Sequence, residues 1–153
     1  MQEKQTTQVF ASRSADETQQ LGETFARRLR AGDLVTLHGE LGVGKTTFVQ
    51  GMARALEIAS DVVSPTFVLI AEHEGQLPLL HLDAYRLENL DWHSLQESGI
   101  FNFLEREDAV KIVEWPSRIE EFLPVARFQV WLRNNEHDDN ARTLEIREHF
   151  SLR

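Results

Sequence analysis

The chain has 153 residues, 41% of them apolar and 27% charged, which is ordinary for a soluble globular domain with a core of its own. It has no cysteine, so disulfides and thiolate metal sites are excluded, and its net charge of −9 argues against binding DNA or any broad nucleic-acid backbone without a partner. No apolar run approaches the ~18 residues that span a membrane, and the polar start Met1-Gln2-Glu3-Lys4-Gln5 is unlike a secretory leader. A cytoplasmic protein working away from membranes is the expectation.

Residues 1–13 are polar and read as a short strand or arm around Val9-Phe10. Ser14-Ala15-Asp16-Glu17 then has the capping-box pattern, a hydroxyl followed three residues later by Glu. Leu21, Phe25 and Leu29 recur at helical spacing, and Gly32 is read as the stop. Arg27, Arg28 and Arg30 near its end read as a solvated face. The apolar run Leu34-Val35-Thr36-Leu37 is a strand. The next helix carries Phe48, Met52, Ala55 and Leu56 on one side as a core stripe, with Gly51 suited to close packing.

Asp61-Val62-Val63-Ser64-Pro65-Thr66 breaks that helix. Residues 67–71 and 77–83 are expected to form an antiparallel hairpin. Residues 90–98 read as a helix stopped by Gly99, and 100–104 as a helical turn on the core. Residues 109–114 read as another strand, ended by Trp115-Pro116, and 117–124 as a linker or short helix. The runs at 128–132 and 143–146 alternate like strands about a polar turn, giving a second hairpin. The whole chain, 1–153, is expected to be one α/β domain, with 1–8 as a flexible arm and 148–153 as a tail.

Between the strand at 34–38 and the core-striped helix lies Gly39-Glu40-Leu41-Gly42-Val43-Gly44-Lys45-Thr46-Thr47. This is a Walker A phosphate loop: Gly, four residues, Gly-Lys-Thr. Its glycines let the backbone bring N–H groups up to phosphate oxygens, and the helix that follows points its positive end at the same place. Lys45 would reach the β and γ phosphates, and the Thr46 hydroxyl would bind Mg²⁺.

Such a loop needs an acidic group at the end of a neighbouring strand to hold the metal. Asp83 and Glu114 both end apolar strands, and spacing does not choose between them: one can serve the metal while the other orients the attacking water. Asp83 could also simply pair with Arg86. Ser64-Pro65-Thr66 is read first as a turn with hydroxyls, and otherwise as a sensor of the γ phosphate. Trp115 either stacks on a base or packs. His38, His73 and His81 have no zinc-site spacing and read as plain surface or core histidines.

The loop, then Ser64-Pro65-Thr66-Phe67, then His81-Leu82-Asp83-Ala84-Tyr85-Arg86-Leu87, then Glu114-Trp115-Pro116, follow one another in order. Together they closely resemble the TsaE (YjeE) family, the bacterial ATPases of tRNA threonylcarbamoyladenosine biosynthesis, over roughly residues 14–147. The resemblance implies a P-loop NTPase fold with a mixed parallel/antiparallel sheet flanked by helices. It implies an ATPase that binds ATP or ADP with Mg²⁺; weak activity alone and stimulation by partners are expected, because an exposed site that excludes water poorly gains from a docked surface. That ATPase is needed to place threonylcarbamoyl on adenosine 37 of tRNAs reading codons that begin with A. The implied partners are a TsaD-type transferase and its TsaB-type paralogue, which would hold the tRNA.

Carried over by position, Lys45 is the phosphate lysine and Thr46 the Mg²⁺ hydroxyl, with Thr47 a further functional hydroxyl. Thr66 is the switch-like threonine, and Asp83 the acid of the His-x-Asp-x-Tyr-Arg motif. Glu114 is the Mg²⁺-associated glutamate, Trp115 its neighbour, and Arg142 an arginine near the base. Glu40 replaces a usual Asp and Val43 a usual small residue. Backbone N–H groups of Glu40, Leu41, Gly42, Val43 and Gly44 still form the cradle.

The competing readings are a small-molecule kinase and an ATP-dependent assembly switch whose hydrolysis is dispensable. A kinase needs an arginine-bearing lid, and 88–108 holds only Arg106. The sequence has no Asn-Lys-x-Asp segment, which disfavours a GTPase, and no Leu-Ser-Gly-Gly signature, which disfavours an ABC-type ATPase.

Overall fold

The computed structural model describes residues 2–40, 42–59, 62, 70–87 and 89–152. Its strands are β1 (Gln2–Ser12), β2 (Leu34–His38), β3 (Ile70–His73), β4 (Leu79–Asp83), β5 (Val110–Glu114), β6 (Phe128–Asn134) and β7 (Arg142–Leu152). They form a single seven-stranded sheet in the order β1-β7-β6-β2-β5-β4-β3. The neighbours β6, β2, β5 and β4 run parallel. Antiparallel strands flank them, β3 on one side and β7 then β1 on the other. The fold is thus the expected α/β arrangement with a mixed sheet.

The burial of each strand follows its place. Strands β4 and β5 are buried at every residue, because parallel strands in the middle of such a sheet are covered on both faces. Strand β6 alternates instead. Phe128, Val130 and Leu132 are buried while Gln129 and Trp131 are half-exposed, so only one face is covered there.

The helices are α1 (Ala15–Ala26), α2 (Lys45–Ala55), α3 (Trp92–Glu97) and α4 (Ile100–Glu105). Helices α1 and α2 bury one face of the sheet around Phe25, Phe48, Met52, Leu37, Ile112 and Phe128. The Phe25 ring lies 5.5 Å from Phe48 and meets Phe128 edge-on at 4.9 Å. The opposite face, around Leu34, Leu82, Val113, Ile100, Phe103 and Ile119, is a second core.

Ser14 caps α1 as the sequence suggests, its Oγ accepting from Glu17 N–H at 3.1 Å. Glu17 reaches back to the N–H of Arg13, one residue earlier than an ideal capping box. The helix ends at Ala26, before the expected stop at Gly32. Leu29 keeps the helical spacing and is buried, but the chain reaches it through tight turns, Arg28 and Leu29 donating to the carbonyls of Phe25 and Ala26. Nor is Arg28 merely solvated: it donates to Gln8 and to Glu148, tying the end of α1 to the outer strands.

Two further expectations are corrected. Residues 2–8 are not an arm and residues 148–152 are not a tail. They are the outer halves of β1 and β7, paired from Gln2↔Leu152 to Ser12↔Arg142. The hairpin expected at 67–71 and 77–83 is present as β3 and β4, although residues 67–69 lie outside the described residues.

Helices α1 and α2 touch through glycine. A Cβ on Gly51 would lie 2.0 Å from the Gln19 carbonyl oxygen, and one on Gly22 would lie 2.2 Å from that of Phe48. Gly51→Ala is therefore expected to destabilise the fold although alanine is the better helix former. The helix gains about 1 kcal/mol, while prying two backbones apart costs about 2–3 kcal/mol. A net fall in melting temperature of roughly 3–6 °C should result. A rise on thermal melting would show that the helices are not in backbone contact.

Candidate functional site

The site grows from the carboxyl end of the parallel strands, where open α/β sheets place their ligands. Strand β2 lies between β5 and β6 and runs directly into the phosphate loop, which opens α2. Gly44 is the N-cap of that helix, with φ 107° and ψ 18°, a left-handed conformation that glycine adopts freely. It offers no side-chain cap, so the first N–H groups of α2 are available to an anion.

Strand register builds the acidic side. Leu79, His81 and Asp83 of β4 point to the same face as Val110, Ile112 and Glu114 of β5, and Asp83 pairs with Glu114. On each strand the apolar row gives way to an acid at the last position. Both acids are nearly buried, Asp83 at 7% exposure and Glu114 at 4%. Oδ1 of Asp83 accepts from Tyr85 N–H at 2.9 Å, which caps the short 3₁₀ turn Tyr85–Leu87. Oε2 of Glu114 lies 2.8 Å from Nε2 of His81.

Lys45 completes the cluster. Its Nζ donates to the Gly39 carbonyl at 2.7 Å and lies 4.1 Å from the centre of the Trp115 ring. Burial pushes the ammonium below its ordinary pKa, and the charges of Glu114 and Asp83 act in the other direction. Trp115 has left-handed backbone, φ 56° and ψ 48°, immediately before Pro116. That strained turn aims its indole back across the loop, where Tyr85 meets it edge-on at 5.1 Å.

Beside the loop lies a pocket of about 420 Å³, lined by Arg13, Ser14 and Thr18 from the start of α1, by Gly42, Val43, Gly44 and Thr47, and by Asp139, Asn140 and Arg142 from the β6–β7 turn. A buried bond between Ser12 Oγ and Thr18 Oγ1, 2.7 Å, fixes the α1 side. Arg142 braces the other, its Nε donating to the Val43 carbonyl at 3.0 Å and its Nη1 to Asp139 and Ala141 carbonyls.

A family model described as threonylcarbamoyl adenosine biosynthesis protein TsaE matches residues 12–144. The chain belongs to the TsaE family. Among similar proteins, the tRNA threonylcarbamoyladenosine biosynthesis protein TsaE of Nostoc sp. is 38% identical over 143 residues, covering 93% of this chain and 86% of its own. That of Bacillus subtilis is 38% identical over 129 residues, 84% of this chain and 78% of its own. The crystal structure of Bacillus subtilis YdiB superposes with a TM-score of 0.75 at 32% identity, covering 95% of this chain and 87% of that one.

This TsaE-family chain thus sets Lys45 on the Trp115 ring and Asp83 beside Glu114 at the same end of the sheet, with Thr46 half-buried in the first turn of α2. Val43, Gly42, Gly44, Thr47 and Arg142 border the adjoining pocket. Glu40 is exposed, and its carbonyl accepts from Val43 N–H. Leu41 and the segment containing Ser64, Pro65 and Thr66 lie outside the described residues. Asp83 is committed to the Tyr85 N–H. Among the described residues no group of three or more His, Asp or Glu forms a metal cage.

Sequence reasoning missed the His81–Glu114 contact, and it missed Asp139 and Asn140 as pocket walls. The alternation His-x-Asp did carry a signal, since it puts His81 on the face of Asp83.

His38, the last residue of β2, stacks flat on Trp131 at 4.2 Å, with the Arg147 guanidinium 4.2 Å from the same indole. Burial, then Arg147 and Lys45, lower its pKa from 6.5 to about 4. As pH falls the unfolded chain takes up this proton first. Stability from neutral His38 is therefore complete above about 6.5 and is lost as pH drops towards 4. His38→Phe keeps a ring on Trp131 without the titration. Its melting temperature relative to the parent should rise on going from pH 8 to pH 5; a difference independent of pH would remove His38 from the acid response.

Proposed function

We propose that the chain is a Mg²⁺-dependent ATP hydrolase that serves threonylcarbamoylation of adenosine 37 in tRNAs reading codons that begin with A. The observation that carries this reading is the placing of Lys45 within the electrostatic reach of the paired acids Asp83 and Glu114, at the mouth of an uncapped α2. A buried lysine that bonds a backbone carbonyl while two buried carboxylates lie nearby is a poor structural choice. It suits a site that receives a polyphosphate and a cation together.

The donor set fits Mg²⁺. This ion keeps several waters and takes one or two carboxylates along with phosphate oxygens, so it needs no all-protein cage. Thr46, Glu114 and Asp83 are the residues that would hold it, Glu114 foremost. When bound, Mg²⁺ neutralises charge on the β and γ phosphates.

The chain's own groups do the rest. N–H groups of Gly42, Gly44, Lys45 and Thr46 would cradle phosphate oxygens. Lys45 leaves the Gly39 carbonyl and the Trp115 ring to pair with them. Thr47 and Arg142 border the nucleoside side, in the pocket shared with Thr18 and Asn140. Asp83 or Glu114 orients the attacking water, and Thr66 senses the γ phosphate.

Hydrolysis of this kind asks for positioning and charge neutralisation rather than covalent catalysis. The site is open on its Tyr85 side, where that ring is 45% exposed, so water is poorly excluded and activity alone is weak. A TsaD-type transferase with its TsaB-type paralogue is the partner that would cover it. The tRNA sits on that partner, as the charge of −9 on this chain favours.

The test is depletion of the protein followed by mass analysis of tRNA nucleosides, with phosphate release measured with and without the partner pair. Loss of threonylcarbamoyladenosine and partner-stimulated release are expected. Unchanged threonylcarbamoyladenosine would sink the assignment. Phosphate appearing on a metabolite rather than in solution would favour the kinase reading.

A further inference from the structure

Strand β4 reads Leu79-Leu80-His81-Leu82-Asp83 and is buried throughout. A histidine in the middle of such a strand needs a reason, because leucine or valine would fill the core without polar atoms to satisfy. His81 is fully buried and its Nε2 lies 2.8 Å from Oε2 of Glu114. A carboxylate only accepts, so Nε2 carries the proton and donates it. On the other side of the ring Nδ1 is buried and meets no hydrogen-bond partner among the described residues. The imidazole is therefore anchored at one end only, and that end grips a carboxylate of the candidate site.

We propose that His81 is a positioning residue: its Nε2–H holds the Glu114 side chain in the rotamer that presents the carboxylate to Lys45 and to a bound phosphate. This rests on the reading of Glu114 as a working group of an ATP site. The topology creates the need. Glu114 is the last residue of β5, and the chain turns sharply at Trp115, so little of the local backbone restrains its long side chain. His81 pairs in register with Ile112, one step behind the Asp83–Glu114 pair, and its ring reaches forward across the strands to Glu114. Asp83 is nearer in register but carries the same charge, and it is occupied by the Tyr85 N–H. A hydrogen-bond donor rising from the apolar row is the group that can orient Glu114 from the neighbouring strand. The half-satisfied ring is the consequence of using histidine for that purpose.

The test compares His81→Gln with His81→Asn in the full chain. Gln keeps an N–H donor near the position of Nε2, whereas Asn ends at the position of Nδ1 and falls short. His81→Gln should keep kcat for phosphate release within about 3-fold of the parent, while His81→Asn should lose roughly 10- to 100-fold in kcat with KM and metal-free ADP affinity within about 3-fold. Equal losses in both variants would mean that the ring only packs, and a parental kcat in a folded His81→Asn protein would overturn the proposal. A second readout needs no nucleotide. Ring ¹⁵N resonances of His81 in the parent should show the Nε2–H form, with Nε2 shifting in Glu114→Gln; the Nδ1–H form overturns the proposal. A parent that releases no phosphate overturns the ATPase reading instead, and the tautomer measured in the free protein then decides for or against His81.

Discussion

Lys45→Ala is expected to weaken binding of ATP and ADP by roughly 100- to 1000-fold, because a desolvated charge–charge contact truncated on one side is worth several kcal/mol. The fold should survive. Lys45 is the first residue of α2, and its Nζ contacts are the Gly39 carbonyl and the Trp115 ring rather than any part of the hydrophobic cores. What the variant loses locally is the cation facing Asp83 and Glu114, which pair across β4 and β5 and are both nearly buried. Their mutual repulsion then lacks a nearby cation, and a modest loss of melting temperature should accompany the loss of binding. The parent has a pH signature. Burial holds the Lys45 ammonium below its ordinary 10.5, and an incoming phosphate favours the charged form. Nucleotide affinity should therefore decline with rising pH before an exposed lysine would titrate. Calorimetric titration with ADP across alkaline pH measures both effects. Affinity within about 3-fold of the parent in Lys45→Ala would mean that phosphates do not sit at this loop.

How far the sequence could be read follows from which features are local. The phosphate loop is legible because every residue it needs is contiguous and each type has its own backbone reason. Ser14 as a cap is legible for the same reason. The candidate acids were legible as strand ends, but their meeting was not. It depends on β4 lying beside β5 in a particular register, and no local pattern states which strands are neighbours. The contact of His81 with Glu114 was not legible on that account, since the two lie 33 residues apart. The outer strands were shortened for a different reason. Beyond the region covered by α1, residues of β1 such as Lys4, Gln5 and Thr6 are exposed, so the apolar alternation that marks a strand is missing even though the backbone ladder continues to Gln2. At α1 the error runs the other way. Leu29 preserves the helical spacing because the core wants an apolar group there, while the backbone has already turned after Ala26.

Glu114→Gln separates hydrolysis from binding. The substitution is nearly isosteric, and the amide oxygen of Gln can still accept from Nε2 of His81, so the contact that seats the side chain at 2.8 Å is retained while the charge is removed. Phosphate release should fall by roughly 10²- to 10⁴-fold, the range for loss of a positioned acid–base or charge-orienting group. ADP affinity without metal should stay the same or improve, because one negative charge beside the phosphate site is gone. Asp83→Asn is the matched control: its side-chain oxygen still caps the Tyr85 N–H, so any loss reports charge rather than a broken turn. Placing Glu114→Gln in depleted cells then asks what hydrolysis is for. Loss of threonylcarbamoyladenosine with nucleotide binding intact would tie the modification to turnover. If the modified nucleoside persists while phosphate release is abolished, ATP binding alone sets the partner complex and the assembly-switch reading replaces the hydrolytic one. The result also tests the geometry, since a glutamate that merely closes a buried pair with His81 could be neutralised with little effect on phosphate release.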